Sequence, residues 1–331
     1  MSATRDSQRI VLAGASSLLG AELKSLLEES RFAGWDLSLV DEETAAGILT
    51  EAGGEPAVIQ PVEEGTFDRA KLIFFAGSPA FTERNLQSAR DSGAIVIDLS
   101  GAALNVDAAR IWFALDALDE GAQRSKKQYA IPSAPGLVAG RLLDALSGAG
   151  LSRLAIVFFR PVSEAGRAGI EELEAQTSQL LSFQSIGQPV FDTQVAFNLL
   201  DHYGPSSREN LQAVRTRIRR EASAASHQIV PSIEVLHAPV FYGYTFVANS
   251  DLKPGQTRES IVEILRKSGF TLEIAASSPL GNVVAAGDSA IHLAIPEDDP
   301  ANPGTWWFWG AADNVRLPAA TAIKLAEKIV E

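Results

Sequence analysis

The sequence contains no cysteine, and this absence excludes a whole group of reactions. A chain without thiols cannot form disulfides, hold a metal ion through cysteine or attack a substrate with a thiolate. Histidine is scarce as well, and His202, His227 and His292 show none of the spacings typical of metal ligands. We therefore expect neither thiol chemistry nor a bound metal ion.

Basic residues are also few, since the sequence has 28 of them and 41 acidic residues, which gives a net charge of -13. Nucleic acids and anionic membranes attract clustered lysine and arginine, so neither is an expected partner. One basic cluster, Arg215–Arg220, predicts a solvated helix face, with an anion-binding face as the alternative. The apolar runs are too short for a signal sequence or a membrane span, which predicts a cytoplasmic protein.

The first half of the chain alternates short apolar runs with amphipathic segments. Strands are predicted over residues 9–13, 36–40, 71–76 and 94–99, and helices over residues 18–27 and 82–92. Strands that are buried on both faces and separated by helices form parallel sheets. This half therefore predicts a doubly wound α/β domain.

The second half alternates less regularly. Strands are predicted over residues 154–159, 233–237, 240–248 and 290–295, and helices over residues 169–181, 259–267 and 318–330. Alternation of apolar and polar residues in the later strands is typical of a half-exposed antiparallel sheet. Trp307 and Trp309 share one face of a further strand, where core or dimer packing is expected, with ligand stacking as the alternative. The fold class is therefore α/β followed by α+β.

A glycine loop, residues 14–20 (GASSLLG), joins the first strand to the first helix. Backbone N–H groups here and the helix N-terminus can bind a dinucleotide pyrophosphate. Gly14 permits the tight turn and Gly20 permits close helix packing, whereas Ser17 crowds the pyrophosphate at the middle position. Ser16 or Ser17 could instead donate a hydrogen bond to it, and the alternative is a βα turn without a ligand.

Three carboxylates, Asp41, Glu42 and Glu43, follow the second strand, where the adenosine ribose of a dinucleotide would lie. A carboxylate at this place accepts hydrogen bonds from the ribose hydroxyls of NAD, whereas the 2′-phosphate of NADP needs an arginine. The sequence therefore favours NAD over NADP, if a cofactor is bound.

Eight motifs, in order along nearly the whole chain, resemble those of aspartate-semialdehyde dehydrogenases. They are Gly14–Gly20, Phe75–Ser78, Val96–Ser100, Ile131–Ala134, Pro161–Gly166, Ala196–Leu199, Pro239–Tyr244 and Ala312–Arg316. Each motif is short, but their shared order and spacing are specific to the family. Within it, the chain is most similar to the divergent Usg-type homologues.

The resemblance implies a Rossmann-like domain of residues 1–132 and 313–331, to which the C-terminal helix returns. It also implies an α+β catalytic and dimerisation domain of residues 133–312, and a homodimer. NAD or NADP would bind in the first domain, unless that site has been lost. The cofactor-binding candidates are Gly14, Ser16, Ser17, Leu18, Leu19, Gly20, Ala76, Gly77, Ser100 and Asn314.

The resemblance also shows which catalytic groups this chain lacks. In active members of the family a cysteine attacks the aldehyde, hydride passes to NADP, and phosphate releases the acyl group, with a histidine as acid–base catalyst. On this sequence the cysteine position is Ala134 and the histidine position is Tyr244. Further pocket positions, each differing from the family's residue type, are Ser133, Arg160, Glu164 and His237.

Charged residues thus replace neutral ones in the pocket that the resemblance assigns. Arg160 and Glu164 are interpreted as an ion pair that fills it, with recognition of an anionic ligand by Arg160 and His237 as the alternative. Ser133 is interpreted as a turn residue, because a serine nucleophile needs a base and an oxyanion site.

Two functions follow from these residues. The first is a family member that is inactive in the aldehyde oxidation of amino-acid biosynthesis. It would serve in binding or regulation, as a homodimer or in a hetero-oligomer with an active paralogue. The second is an NAD(P)-dependent oxidoreductase that acts on a small carbonyl compound without a thiol intermediate. In that case Tyr244 or His237 would donate the proton.

Overall fold

The computed structural model describes residues 8–105, 109–114, 127–225, 229–273 and 279–330. The chain forms two compact units, Met1–Pro132 with Pro318–Glu331, and Ser133–Leu317. Residues 313–317, for which the sequence predicts a place in the first domain, belong to the second unit. Their hydrogen bonds give the reason, because Asp313 Oδ2 accepts from Gly287 N at 2.8 Å and Asn314 Oδ1 accepts from Gly243 N at 2.9 Å.

Among the residues described, seven parallel strands form the sheet of the first unit. They are β1 (Arg9–Ala13), β2 (Asp36–Asp41), β5 (Gln60–Pro61), β6 (Leu72–Phe75), β7 (Ile95–Asp98), β8 (Arg110–Ile111) and β9 (Gln128–Ala130), while β3 (Leu49–Ala52) and β4 (Glu55–Val58) form a separate antiparallel hairpin. The order β5-β2-β1-β6-β7-β9-β8 reverses direction between β1 and β6. Ligands of open α/β sheets bind at the carboxyl ends of the strands at such a reversal.

Two helices follow the strands at this reversal, α1 (Leu18–Glu29) after β1 and α2 (Pro79–Asp91) after β6. Each begins at a serine cap, which satisfies a backbone N–H that has no partner within the helix. The cap of α2 is Ser78, whose Oγ accepts from Phe81 N at 3.1 Å. The helix therefore begins at Pro79 instead of residue 82, since proline tolerates the first helical position.

The second unit contains a mixed sheet. Its strands are β10 (Arg153–Arg160), β11 (Ser232–His237), β12 (Tyr244–Asp251), β13 (Phe270–Glu273), β14 (Ile291–Ala294), β15 (Glu297–Asp298) and β16 (Thr305–Ala312). The order is β11-β10-β12-β16-β14-β13, and β15 pairs with β16. The prediction of an antiparallel sheet is wrong for two pairs, because β10 and β11 are parallel, as are β13 and β14. Helices connect the strands of the first of these pairs, and such a crossover returns the chain in the same direction.

The described part of the second unit contains the helices α3 (Ala134–Ser147), α4 (Gly166–Leu181), α5 (Leu211–Ser223), α6 (Arg258–Lys267) and α7 (Asn282–Ala285). Alternate residues of β10 and β12 are buried, and α3 packs against β10 and α5 against β11. The strand predicted from residue 240 begins only at Tyr244. The cause is Gly243, whose φ of +81° interrupts the extended backbone.

The last helix, α8 (Arg316–Ile329), returns to the first unit, and the predicted fold class is confirmed. There Arg31 donates to Val330 O, and Lys328 lies over the ring of Trp112 at 5.6 Å. In the described part of the chain, no helix has the length and apolarity needed to cross a membrane.

Candidate functional site

The glycine loop, residues 14–20, lies at the carboxyl end of β1, beside the residues that follow β6. Gly14 has a φ of +91°, in the left-handed region that favours glycine, and a Cβ there would overlap the backbone of Gly77. A Cβ at Gly20 would overlap Gly14 O, so α1 packs directly on the loop. These contacts leave no room for side chains at either position.

The Ser17 side chain serves the fold. Its Oγ accepts from Gly20 N and donates to Ala76 O, each at 2.8 Å. A hydroxyl has a single proton, so Ser17 in this conformation donates nothing to a ligand. The hydrogen bond that the sequence allows between Ser17 and a pyrophosphate is therefore replaced by one that links the loop to β6.

The Asp41 carboxylate closes the other side of the loop. Its Oδ2 accepts from Ser16 N and its Oδ1 from Glu42 N, each at 2.8 Å. A carboxylate fixed at the end of β2 suits a ribose hydroxyl. The amides of Leu18 and Leu19, in the first turn of α1, remain as donors to a pyrophosphate, since first-turn N–H groups have no intrahelical partner. The residues present therefore fit a dinucleotide.

Two other polar residues near the loop are engaged within the first unit. Glu42 Oε1 accepts from Ser78 Oγ at 3.3 Å and from Arg84 Nη2 at 3.2 Å. Ser100 is buried, and its Oγ donates to Asp98 Oδ1 at 2.6 Å in the turn after β7. In this conformation Ser100 stabilises that turn through its hydroxyl.

The second candidate site lies at one end of the sheet of the second unit. Arg160 is the last residue of β10 and His237 the last of β11, and the two are paired in parallel register. Tyr244 is the first residue of β12, which runs antiparallel to β10, so it lies at the same end. We call the side chains gathered here the sheet-end cluster: Arg160, Glu164, Tyr203, Glu209, His237 and Tyr244.

A chain of hydrogen bonds connects four of these side chains. Arg160 Nη2 donates to Glu209 Oε2 at 2.6 Å, and Arg160 Nη1 donates to Tyr203 Oη at 3.1 Å. Tyr203 Oη donates to His237 Nδ1 at 3.3 Å, and His237 Nε2 donates to Val195 O at 3.3 Å. The directions follow because arginine only donates, a carbonyl only accepts, and a neutral imidazole does one of each.

The ion pair that the sequence suggests between Arg160 and Glu164 is not formed. The carboxylate on Arg160 is that of Glu209, whereas Glu164 Oε1 accepts from Asn314 Nδ2 at 3.1 Å. Asn314 is also hydrogen-bonded to Ser163 Oγ, at 3.0 Å through Nδ2. The side-chain amide of Asn314 is therefore engaged inside the second unit.

Burial decides the charge of the sheet-end cluster. Burial lowers the pKa of His237 from 6.5 to about 4, so its imidazole is neutral at pH 7. Burial raises the pKa of Tyr244 well above the usual value of a phenol, and the nearby Glu164 raises it further. Burial alone would lower the pKa of Arg160, but the surrounding phenols and carboxylates raise it, and the guanidinium stays charged.

Ser133 is the cap of α3 and a link to α5. Its Oγ donates to Glu221 Oε2 at 2.5 Å, and its amide donates to Oε1 of the same residue at 3.1 Å. Glu221 is fully buried and pairs with Arg217 at 2.8 Å. Beside it, Ala134 is 1% exposed and presents only a methyl group.

The basic cluster Arg215–Arg220 is not simply a solvated face. Arg215 Nε pairs with Glu234 Oε1 at 2.5 Å, and Arg219 donates to Ile233 O at 3.0 Å. Since these partners lie on or beside β11, the arginines attach α5 to that strand. The two guanidinium groups are therefore already bound within the unit.

The scattered histidines take part in local pairs. His202 lies on the surface 2.6 Å from Asp201, and His292 lies 2.9 Å from Asp288. His227 is outside the described residues. Among the residues described, no three or more His, Asp or Glu side chains are grouped so that they could hold a metal ion.

The strand order, the glycine turn and the helix-start donors define a protein of the dinucleotide-binding α/β class. Residues 9–120 match the family model described as semialdehyde dehydrogenase, NAD binding domain. Residues 141–317 match the model described as semialdehyde dehydrogenase, dimerisation domain. The chain therefore belongs to the semialdehyde dehydrogenase family, which confirms the family predicted from its motifs.

Similar proteins match nearly the full length of the chain. A USG-1 protein homolog of Azotobacter vinelandii is 27% identical over 330 residues, which cover 97% of each sequence. An aspartate-semialdehyde dehydrogenase of Rickettsia bellii is 23% identical over 335 residues, with the same coverage. The structure of a probable aspartate-semialdehyde dehydrogenase from Pseudomonas aeruginosa gives a TM-score of 0.87 at 27% identity, covering 98% of both chains.

We predict that Glu209→Ala lowers the free energy of unfolding by about 3 kcal/mol, because it leaves the buried charge of Arg160 without its carboxylate. As a matched control, Glu263→Ala removes the partner of Lys267 from an exposed pair and should have little effect. Chemical denaturation followed by tryptophan fluorescence measures both variants. Equal losses of stability in the two variants would contradict the prediction.

Proposed function

We propose that this chain is a nicotinamide-binding member of the semialdehyde dehydrogenase family that does not catalyse phosphate-dependent oxidation of an aldehyde. One observation carries the proposal: the chain has no cysteine, and the position that the resemblance assigns to the nucleophile is the buried methyl group of Ala134. A methyl group cannot attack an aldehyde. The adjacent hydroxyl, that of Ser133, is bound to the buried carboxylate of Glu221.

The acid–base position supports the same proposal. Tyr244 has no exposed surface, and because its pKa is raised by burial it keeps its proton at neutral pH. His237 has no exposed surface either, and both of its ring nitrogens are engaged. A general acid or base must reach the proton that it transfers, but Tyr244 is buried and the two nitrogens of His237 are bound to Tyr203 and Val195. This argues against the alternative of an oxidoreductase on small carbonyl compounds.

The proposed nicotinamide site lies in the first unit. The amides of Leu18 and Leu19 would hold the pyrophosphate, and Asp41 would accept from the adenosine ribose. Asp41 and Glu42 put negative charge where NADP carries its 2′-phosphate, and the nearby Arg84 is already paired with Glu42 at 3.2 Å. These charges favour NAD. When bound, the nicotinamide would accept or supply a hydride, but without a nucleophile or base the role left to this chain is binding or regulation.

The proposed partner is a second copy of the chain, since the dimerisation-domain model matches most of the second unit. Trp307 and Trp309 on β16 are 44% and 38% exposed, so of the two kinds of packing expected for them, in the core or in a dimer, packing in the core is excluded. Val247 of β12 and Val157 of β10 continue the row from Trp309 across the sheet and are partly exposed. An exposed apolar row of this kind is typical of a surface that another protein covers.

Calorimetric titration with NAD, NADH, NADP and NADPH tests the proposed cofactor. We expect NAD and NADH to bind about tenfold more tightly than their phosphorylated forms, because carboxylates repel the 2′-phosphate. Gly20→Ala should abolish binding, since its Cβ overlaps Gly14 O, whereas Gly148→Ala, with no atom within 4 Å, should not. A preference for NADP, or equal affinities, would contradict the expected order.

The purified chain should form no NADH or NADPH from aspartate semialdehyde and phosphate, because it lacks the nucleophile. Ala134→Cys should remain inactive as well, since Tyr244 keeps its proton and cannot serve as the base. An active aspartate-semialdehyde dehydrogenase, assayed with the same substrates, serves as the positive control. Phosphate-dependent turnover by the pure wild-type chain would refute the proposal.

Sedimentation velocity tests the proposed dimer. We expect the wild-type chain to sediment as a dimer and Trp307→Glu to sediment as a monomer, because a charge would be buried in the apolar contact. Leu49→Glu changes a residue that is 77% exposed on the hairpin of the first unit and should leave the dimer intact. A monomeric wild-type chain would argue against this surface.

A further inference from the structure

We call residues 182–210, between α4 and α5, the arm; this stretch contains no helix and no extended strand. Buried side chains of α4 nevertheless bind its backbone. Glu172 Oε2 accepts from Val190 N at 2.5 Å, and Gln176 Oε1 accepts from Val195 N at 2.8 Å. A segment held in this way presents a preorganised outer surface.

Among polar and small residues, the outer surface of the arm exposes three large apolar side chains. Phe183 is 99% exposed, Phe197 65% and Leu199 62%. Phe197 also has a φ of +59°, a left-handed conformation that a bulky residue rarely adopts. Such conformations persist where the surrounding structure imposes them, and they concentrate at functional sites. The outward ring of Phe197 therefore points to a contact with another molecule.

A second copy of the chain is the partner that fits the arm. The arm lies inside residues 141–317, which match the dimerisation-domain model. It exposes the apolar side chains of Phe183, Phe197 and Leu199, and apolar groups of this kind can be buried against an apolar surface such as the exposed row on β16 of a second copy. This step rests on the proposed homodimer.

The sheet-end cluster fastens the arm to the sheet. Three of the groups that are connected by these hydrogen bonds belong to the arm: the Val195 carbonyl, the Tyr203 phenol and the Glu209 carboxylate. Their partners Arg160 and His237 end neighbouring strands of the sheet. We propose that this chain of hydrogen bonds is a pH-sensitive clasp, in which protonation of His237 releases the arm and weakens the association with a second copy.

The chemistry of imidazole is the reason for the pH dependence. In the closed clasp His237 Nδ1 accepts from Tyr203, and this requires an unprotonated nitrogen. A protonated ring would donate from both nitrogens, so the Tyr203 hydroxyl would lose its acceptor. Arg160 of β10 also faces the ring and would repel a second positive charge, while Phe191 of the arm contributes only an apolar ring at 5.8 Å.

The direction of the effect follows from two pKa values. In the closed clasp the pKa of His237 is lowered to about 4 by burial, whereas in a released arm it returns to the ordinary 6.5. The released form thus binds the proton more tightly, so the clasp is fully stable above about pH 6.5 and weakens as the pH falls toward 4. Glu164, whose pKa is raised by burial, acts in the opposite direction, so the effect of His237 must be isolated by substitution.

Hydrogen–deuterium exchange of arm peptides at pH 7 and pH 5 tests the clasp. After correction for intrinsic rates, opening of the wild-type arm should increase about 20-fold at pH 5. His237→Gln, which cannot titrate and keeps a donor for Val195 O, should show no such increase. His202→Gln, a matched change of an exposed histidine on the same arm, should behave like the wild type.

Tyr203→Phe provides a second test that does not depend on His237→Gln folding. It keeps the ring against Phe191, 4.8 Å between centroids, but removes the hydroxyl that links Arg160 to His237. The arm should then open faster already at pH 7. Unchanged exchange of the arm in this variant would contradict the clasp.

Sedimentation at the same two pH values separates the clasp from the dimer. A dimer fraction that falls at pH 5 in the wild type but not in His237→Gln supports the coupling. Exchange of the wild-type arm that is equal at both pH values, or that rises equally in His237→Gln, overturns the clasp. A chain that is monomeric at pH 7 overturns the proposed dimer, while the exchange result still decides the clasp.

Discussion

The structure at the end of the second unit's sheet depends on one buried charge, the guanidinium group of Arg160, which needs partners of opposite charge or polarity. Arg160 is 2% exposed, and an unpaired charge at that depth would cost several kcal/mol. Its carboxylate and phenol partners both come from the arm, which must therefore fold over the end of the sheet. Tyr203 in turn binds His237, and the imidazole holds the backbone of the arm at Val195. Two of the pocket positions that the resemblance assigns, Arg160 and His237, are thus connected to each other through Tyr203 of the arm.

The two units differ in the functional features that they contain. The first unit retains the strand reversal, the glycine turn and the open first turn of α1, which together suit a dinucleotide. In the second unit the resemblance assigns the nucleophile position to the methyl group of Ala134 and the acid–base position to Tyr244, a phenol that burial keeps protonated. Binding of a dinucleotide needs only the features of the first unit. The oxidation of an aldehyde also needs a nucleophile and an acid–base catalyst in the second unit. This difference between the units is the basis of the proposed binding or regulatory role.

Sequence patterns correctly predict those strands, turns and helices that are determined by residues close together in the sequence. The strand, glycine loop and helix over residues 9–29 follow from neighbouring residues, and the order of the motifs identifies the family. Alternation shows that one face of the second sheet is exposed, but it carries no information on strand direction, so the parallel pair of β10 and β11 is missed. It also places Trp307 and Trp309 on one face without showing whether that face is covered. Only the packing of the helices on the opposite face decides this.

The sequence alone determines that thiol chemistry is excluded, that a glycine turn opens the first helix, and that the chain belongs to its family. The tertiary structure decides which polar groups meet. Glu209 is 49 residues from Arg160, and Glu221 is 88 residues from Ser133, yet each is the partner in a hydrogen bond. Ser17, which the sequence offers as a donor to the pyrophosphate, likewise donates its hydroxyl to Ala76 O, 59 residues away. Hydrogen bonds and ion pairs depend on distances of a few ångströms, and across such sequence separations only the fold of the whole unit sets those distances.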